Sequence, residues 1–154
     1  MSRVDPGASV RVRKLSDADL DDIMMIEESS FTAPWRRNTF ESLLARRDSD
    51  LLGALDAEDR LIGYAVVWTI VDQAELGNVA VAPQGRGRGA GRALVKEALA
   101  RARERGAREC FLEVRESNEV AKALYDTLGF TAIGRRRRYY SNPPEDALVM
   151  RVNL

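Results

Sequence analysis

Histidine is absent from this chain of 154 residues, and no other omission excludes as much chemistry. No His-based triad, imidazole proton shuttle or His-ligated zinc site can be built from it. A single cysteine, Cys110, removes an internal disulfide and any Cys-rich metal cluster. Long apolar runs are missing as well. The longest near-apolar stretch, residues 61–71, falls short of the ~20 residues a membrane helix needs. Residues 1–10 are polar, with Pro6 and Gly7 where a signal peptide would be apolar. What remains for catalysis is carboxylates, tyrosines, hydroxyls, lysine, one thiol and backbone amides. With 45% apolar and 31% charged residues, the composition predicts a folded, cytoplasmic protein with no metal and no membrane partner. The length predicts one domain over 1–154, with residues 1–9 flexible.

Charge is balanced overall, 24 basic against 24 acidic side chains, and unbalanced along the chain. The first 78 residues carry 9 basic and 15 acidic groups, whereas residues 79–140 carry 14 basic and 7 acidic. Two readings stand: an anionic ligand handled by the second half, or Arg-rich faces that are only solvated.

Local patterns give an element order. Residues 10–13 alternate apolar and charged, as a half-buried strand does. Ser16 and Asp19 form a capping box before a helix carrying Leu20, Ile23 and Met24. Pro34 and Trp35 suit the first turn of a second short helix with Phe40, Leu43 and Leu44 inward. Residues 51–71 read as two strands around a polar turn at 56–60, and residues 75–82 as a third closed by Pro83. A helix with Leu94, Val95, Ala98, Leu99 and Ala102 on one face follows, then a strand over 110–115. A helix capped by Ser117 or Asn118 runs to Leu128. Residues 130–134 start a further strand, and residues 147–152 alternate with Leu148, Met150 and Val152 inward. The order is β-α-α-β-β-β-α-β-α-β-β, a mixed α/β sheet with helices on its faces.

The segment Gln84-Gly85-Arg86-Gly87-Arg88-Gly89-Ala90-Gly91-Arg92 sits between a strand and a helix. Glycines let backbone approach a ligand, and the unpaired amides of a helix start attract anions. A phosphate or pyrophosphate is the natural occupant; a plain Gly-rich turn is the alternative. A Walker A loop is excluded, because Gly91 is followed by Arg92-Ala93 rather than Lys-Ser/Thr. Gly85-x-Gly87-x-x-Ala90 fits a dinucleotide fingerprint formally, but too little sequence follows for a two-halved nucleotide-binding sheet.

Arg86-x-x-Gly89-x-Gly91 resembles the coenzyme A pyrophosphate loop of the GCN5-related N-acetyltransferases (GNAT family). Its surroundings are similar to theirs: a strand Asn78-Val79-Ala80-Val81, then Pro83, the loop and an amphipathic helix. Downstream, Leu112-Glu113-Val114-Arg115, Ser117-Asn118 and Ala123-Leu124-Tyr125-x-x-Leu128-Gly129-Phe130 look like the second half of that family's core. Within the family, Leu112-Glu113-Val114-Arg115-x-Ser117-Asn118, the pair Tyr139-Tyr140 and the ending Glu145-Asp146-Ala147-Leu148-Val149-Met150 resemble the ribosomal-protein-alanine (RimI-type) enzymes. The run Arg135 to Arg138 is more basic than that type leads one to expect.

The resemblance implies a single-domain GNAT fold: a mixed, mostly antiparallel central sheet splayed around acetyl-CoA, with helices on both faces. It implies direct acetyl transfer from acetyl-CoA to a protein N-terminal α-amine, with Ala or Ser first and a ribosomal protein as partner. Arg86, Gly87, Arg88, Gly89, Ala90, Gly91 and Arg92 would take the diphosphate. The backbone of Val79, Ala80 and Val81 would pair with pantetheine and polarise the thioester, and Asn118 would hydrogen-bond the coenzyme. Glu113 would be the general base and Tyr125 the general acid. Tyr139, Tyr140 and Glu28 would meet the peptide, and Glu27 with Glu28 and the Asp-rich first helix would attract a basic target; of two adjacent tyrosines on a strand, one is expected in the core.

Read without the family, these residues keep plainer roles. Strand alternation puts Phe111, Glu113 and Arg115 on one face, where Glu113 is also an ordinary surface carboxylate or a partner of Arg115. Tyr125 lies on an apolar stripe with Ala121, Leu124 and Leu128, Asn118 can simply cap a helix, and the Asp-rich first helix fits its own dipole. The same fold also serves lysine or small-amine acetylation, and a coenzyme-binding sensor without turnover. Basic and aromatic residues at 135–140 would suit single-stranded nucleic acid, but near-zero net charge argues against such a partner.

Overall fold

The computed structural model describes residues 10–154, and its elements follow the order read from the sequence. Residues 1–9, expected to be flexible, lie outside the described residues. Strand β1 (Arg11–Lys14) leads through a single 3₁₀ turn (Asp17–Asp19) into α1 (Leu20–Ser30) and α2 (Arg37–Ala45). Strands β2 (Ser49–Leu55), β3 (Leu61–Ile70) and β4 (Gln73–Val81) follow. Then come α3 (Ala90–Glu104), β5 (Glu109–Arg115), α4 (Glu119–Thr127), β6 (Thr131–Tyr140) and β7 (Glu145–Asn153). All seven strands join one sheet in the order β1-β2-β3-β4-β5-β7-β6. Only β4 and β5 run parallel, because α3 carries the chain back to the starting edge between them.

The entry to α1 shows how local chemistry sets a corner. The Ser16 amide donates to Asp19 Oδ2 at 2.9 Å, and the Arg13 guanidinium grips both Asp19 oxygens at 2.9 and 3.0 Å. That grip holds the Asp19 carboxyl below its usual range. One boundary differs from the sequence expectation. Helix α2 starts at Arg37 rather than at Pro34-Trp35, after an extended Arg36 (φ −82°, ψ 158°), and the Trp35 amide donates to Glu27 Oε2 at 2.7 Å. Strand β6 continues past Gly134 through the arginine run, because β7 offers pairing partners as far as Tyr140–Glu145.

Helices cover both faces of the sheet. On one face α3 and α4 bury Leu94, Val95, Ala98 and Tyr125 against Leu52, Ile62, Val67, Leu112 and Phe130. On the other, α1 and α2 bury Ile23, Ile26, Phe40 and Leu43 against Leu51, Tyr64 and Val66. Among the described residues no helix is long and apolar enough to cross a membrane.

The sheet opens in the middle. Pairing of β4 with β5 runs from Gln73–Glu109 to Leu76–Leu112 and then stops, although both strands continue. A bulge lies at the same level: Val67 pairs with Leu76 but Val66 with Asn78, so Gly77 is the extra residue. A Cβ on Gly77 would run into the Trp68 indole, so glycine is what permits the bulge. An inserted residue bends a strand and reverses which face the next side chain takes. Leu76 therefore packs toward α3, while Asn78 turns toward α1.

Candidate active site

Past Val81 the chain turns at Pro83–Gly85 and enters α3 through Gly87 and Gly89, both at φ +78°. A Cβ at either glycine would meet nothing of the protein within 4 Å. Space is open on that side of the loop. The first intrahelical bond is Ala93 N–H to Gly89 O at 3.0 Å, so the amides of residues 90–92 precede it and remain available. Arg86 and Arg92 are exposed and Arg88 half-buried around this turn. Arg92 donates to Thr127 Oγ1 at 2.9 Å, tying the start of α3 to the end of α4.

Between the parted strands lies a cleft of about 820 Å³. Its β4 wall includes Glu75, Gly77, Asn78 and Val79; its β5 wall includes Glu113, Val114 and Arg115. Val79, Ala80 and Val81 pair with Ala65, Tyr64 and Gly63 of β3, and their opposite edge has no strand partner among the described residues. Of these three, Val79 lines the cleft. Ala80, Val81 and the loop 86–92 lie further along the same edge.

Alternation in β5 is as the sequence predicts: Cys110, Leu112 and Val114 are buried toward α3, and Phe111, Glu113 and Arg115 take the other face. Glu113 Oε1 lies 3.5 Å from Arg136 Nε. Its second oxygen, Oε2, is buried without a hydrogen-bond partner among the described residues. Tyr125 enters the cleft from the opposite side of β5, buried against Phe130 with ring centroids 5.6 Å apart. Burial raises its phenol, which therefore keeps its proton. Carboxylate and phenol thus flank the opening from two sides of one strand. Asn118 also lines the cleft, with Oδ1 spent on capping α4 through the Ala121 amide at 3.1 Å.

The tyrosine pair departs from expectation. Both Tyr139 and Tyr140 line the cleft, edge-to-face at 5.0 Å, and neither is core. The reason is Arg138, whose φ of +50° breaks the alternation together with a register shift between Arg136 and Tyr140. Arg115 stacks over Tyr140 at 4.4 Å and binds the carbonyls of Ser141 and Pro143, fixing the β6–β7 turn. Burial and then Glu113 raise both phenols, Tyr140 to about 12.

Glu28 is a second departure: it is exposed and does not line the cleft. Its neighbour Glu27 is buried and does. Glu27 accepts from the Trp35 amide at 2.7 Å, from Asn78 Nδ2 at 3.0 Å and from the Tyr64 hydroxyl. Burial pushes its carboxyl up to about 7, against the lowering effect of the Trp35 and Asn78 bonds. A sequence signal existed: Glu27 falls four residues after Ile23 and seven after Leu20, on the buried stripe of α1. Glu75, raised by burial and then by Glu113, was equally unmarked, as strand alternation gives no reason to single it out. Cys110 is a buried thiol pushed up to about 12, far from nucleophilic. Among the described residues no group of His, Cys, Asp and Glu could hold a metal.

Comparison with known proteins agrees with this geometry. A family model described as "Acetyltransferase (GNAT) family" matches residues 20–130. The [ribosomal protein bS18]-alanine N-acetyltransferase of Salmonella typhimurium is 38% identical over 138 residues, covering 88% of this chain and 92% of the relative. The Escherichia coli K12 protein of the same name is 34% identical over 141 residues, covering 90% and 94%. The crystal structure of the ribosomal-protein-S18-alanine N-acetyltransferase from Escherichia coli superposes with a TM-score of 0.85 at 31% identity, covering 94% of both chains.

Proposed function

The chain belongs to the acetyltransferase (GNAT) family and is an N-terminal protein N-acetyltransferase; from that premise we propose that acetyl-CoA is its donor and the alanine terminus of ribosomal protein bS18, the acceptor in its relatives' names, is its target. The observation that carries the reading is the parting of β4 from β5 after Leu76. It leaves one strand edge without a partner beside a cleft flanked by a carboxylate and a phenol.

The residues present fit this donor. Open space beside Gly87 and Gly89, with the free amides of residues 90–92, suits a diphosphate. Arg86, Arg88 and Arg92 add positive charge around it. The free edge of Val79, Ala80 and Val81 suits an extended, amide-bearing arm added as a strand. Asn118 retains its side-chain N–H groups for the same arm. When bound, acetyl-CoA supplies an acyl group already activated as a thioester.

The chain's own residues do the rest. A backbone amide on the free β4 edge polarises the thioester carbonyl, a contribution worth about 10²–10³ in rate for such a donor. Glu113 Oε2 takes the proton of the attacking amine. The demand on it is modest, since an α-amine ionises at about 7.7–8.0, whereas lysine needs about 10.4. Tyr125, kept protonated by burial, returns a proton to the departing sulfur from the other side of β5. Tyr139 and Tyr140 clasp the extended peptide terminus. Transfer is direct, because the chain's single thiol is buried in the α3-facing core.

Mass spectrometry of peptides incubated with acetyl-CoA tests the reading. Peptides beginning with Ala or Ser, that of bS18 included, gain an acetyl group, and N-blocked peptides carrying lysine do not. Acetylation confined to the lysine peptides would overturn the α-amine reading. Coenzyme binding without turnover on any peptide would make the chain a sensor.

A further inference from the structure

We propose that Asn78 is an acceptor-binding residue of this cleft: its side-chain oxygen takes one N–H of the incoming α-amine, and the buried Glu27 is the positioning residue that aims it. The inference rests on the α-amine reading above. It starts from a closed hydrogen-bond cluster. Asn78 Nδ2 donates to Glu27 Oε1 at 3.0 Å and to the Tyr64 oxygen at 3.3 Å, while the Tyr64 hydroxyl gives its own proton to Glu27. Both atoms facing the amide are therefore acceptors toward it. With Glu27 ionised, turning the amide over would set its oxygen against a carboxylate oxygen and a phenol oxygen whose proton is already committed. The orientation is fixed by chemistry. Oδ1 is left as the free polar atom of a residue that lines the cleft, with no partner among the described residues.

Placement makes that oxygen useful. Asn78 stands between the Gly77 bulge and Val79, where the free β4 edge begins. Glu113 Oε2 offers a second unpartnered acceptor from the opposite wall. A neutral primary amine has two N–H bonds and one lone pair. Acceptors on both sides hold the two N–H bonds, and the lone pair is left pointing at the carbonyl between them. Trp35, joined to the same carboxylate at 2.7 Å, brings the α1–α2 loop into the arrangement.

The test compares wild type, Asn78→Ala, Glu27→Gln and the double variant on an alanine-first peptide at saturating acetyl-CoA. Asn78→Ala lowers kcat/KM for the peptide about 10–100-fold, as loss of a hydrogen bond to a charged or reacting group does, and leaves the KM for acetyl-CoA unchanged. Glu27→Gln produces a similar loss alone and little further loss in the Asn78→Ala background, since it acts through that residue. A peptide with its first amino group replaced by hydrogen gives a readout that a purely structural role would not move. Wild type binds it more weakly than the free-amine peptide, and in Asn78→Ala this difference shrinks to what Glu113 alone supplies. Should Asn78→Ala fail to fold, the near-isosteric Asn78→Leu gives the same comparison. A change in kcat/KM within twofold, or losses of the two variants that multiply in the double variant, overturns the proposal. Wild type that acetylates no N-terminal peptide overturns the α-amine reading and this inference with it; wild type that does so, with Asn78 variants unaffected, overturns the inference alone.

Discussion

Strands β2 and β6 belong to one sheet and have opposite surroundings. Every residue of β2 is buried, whereas nine of the ten residues of β6 are exposed. Strand β2 lies between β1 and β3, with α3 over one face and α2 over the other. Strand β6 is the outer edge beyond β7, and its arginines guard it as charges guard an exposed edge. The wing that ends in β4 is thus held by apolar burial. The opposite wing is held near the cleft by polar contacts: Arg136 to Glu113, Arg135 to Glu116, and Arg115 to Glu145 and the Tyr140 ring. The cleft sits where these two kinds of construction meet. One wall is set by the core and the other by ion pairs and ring stacking.

The largest effect expected from that division falls on the residue at the junction. Glu113→Gln lowers kcat about 10²–10⁴-fold, the range for a general base, while calorimetry shows coenzyme affinity retained. A loss below tenfold would remove Glu113 from its role and leave the junction without a function. Next comes the contrast in stability between wings. Phe40→Ala, in the wholly buried face, costs about 3–5 kcal/mol in denaturant unfolding. Ile133→Ala, half-exposed on β6, costs less than about 1 kcal/mol. Equal costs would break the comparison.

A smaller effect follows from Glu27, the carboxyl that apolar burial on the β4 side pushes up from 4.5 to about 7. The native state holds this proton more tightly than the unfolded chain does. Its stabilising contribution is therefore complete below about pH 4.5 and is lost as pH rises toward and through 7. Melting temperatures of wild type measured from pH 5 to 8 should carry this decline, and Glu27→Gln should flatten it by a few °C. A slope unchanged in the variant would place the titration elsewhere. The smallest effect is expected at Arg137, exposed on the outer strand: Arg137→Ala stays within about 0.5 kcal/mol of wild type.

Much of this architecture was legible in the residues. Element order, the glycine loop before α3 and the inward face of β5 follow from periodicities of 3.6 and 2 and from glycine's tolerance of positive φ. Glu113 and Tyr125 stood out because the motifs around them resemble a family. Asn78 stood out in no such way: its face depends on one extra residue at Gly77, and a bulge has no reliable signal in a strand of alternating small and apolar side chains. The expectation that one of the tyrosine pair is core failed because a positive φ at an arginine runs against its intrinsic preference. Glu27 and Glu28 carry the same charge in the sequence, and only the turn of α1 decides that Glu27 and not Glu28 enters the cleft.

Local sequence thus determined the elements, their order and the turn at the head of α3, because each is dictated by residues near one another in the chain. Tertiary structure decided the cleft. Where two strands part, which side chains a bulge turns over, and that a carboxylate from α1 meets an amide fifty-one residues later on β4 are matters of packing between distant segments, and no local preference encodes them.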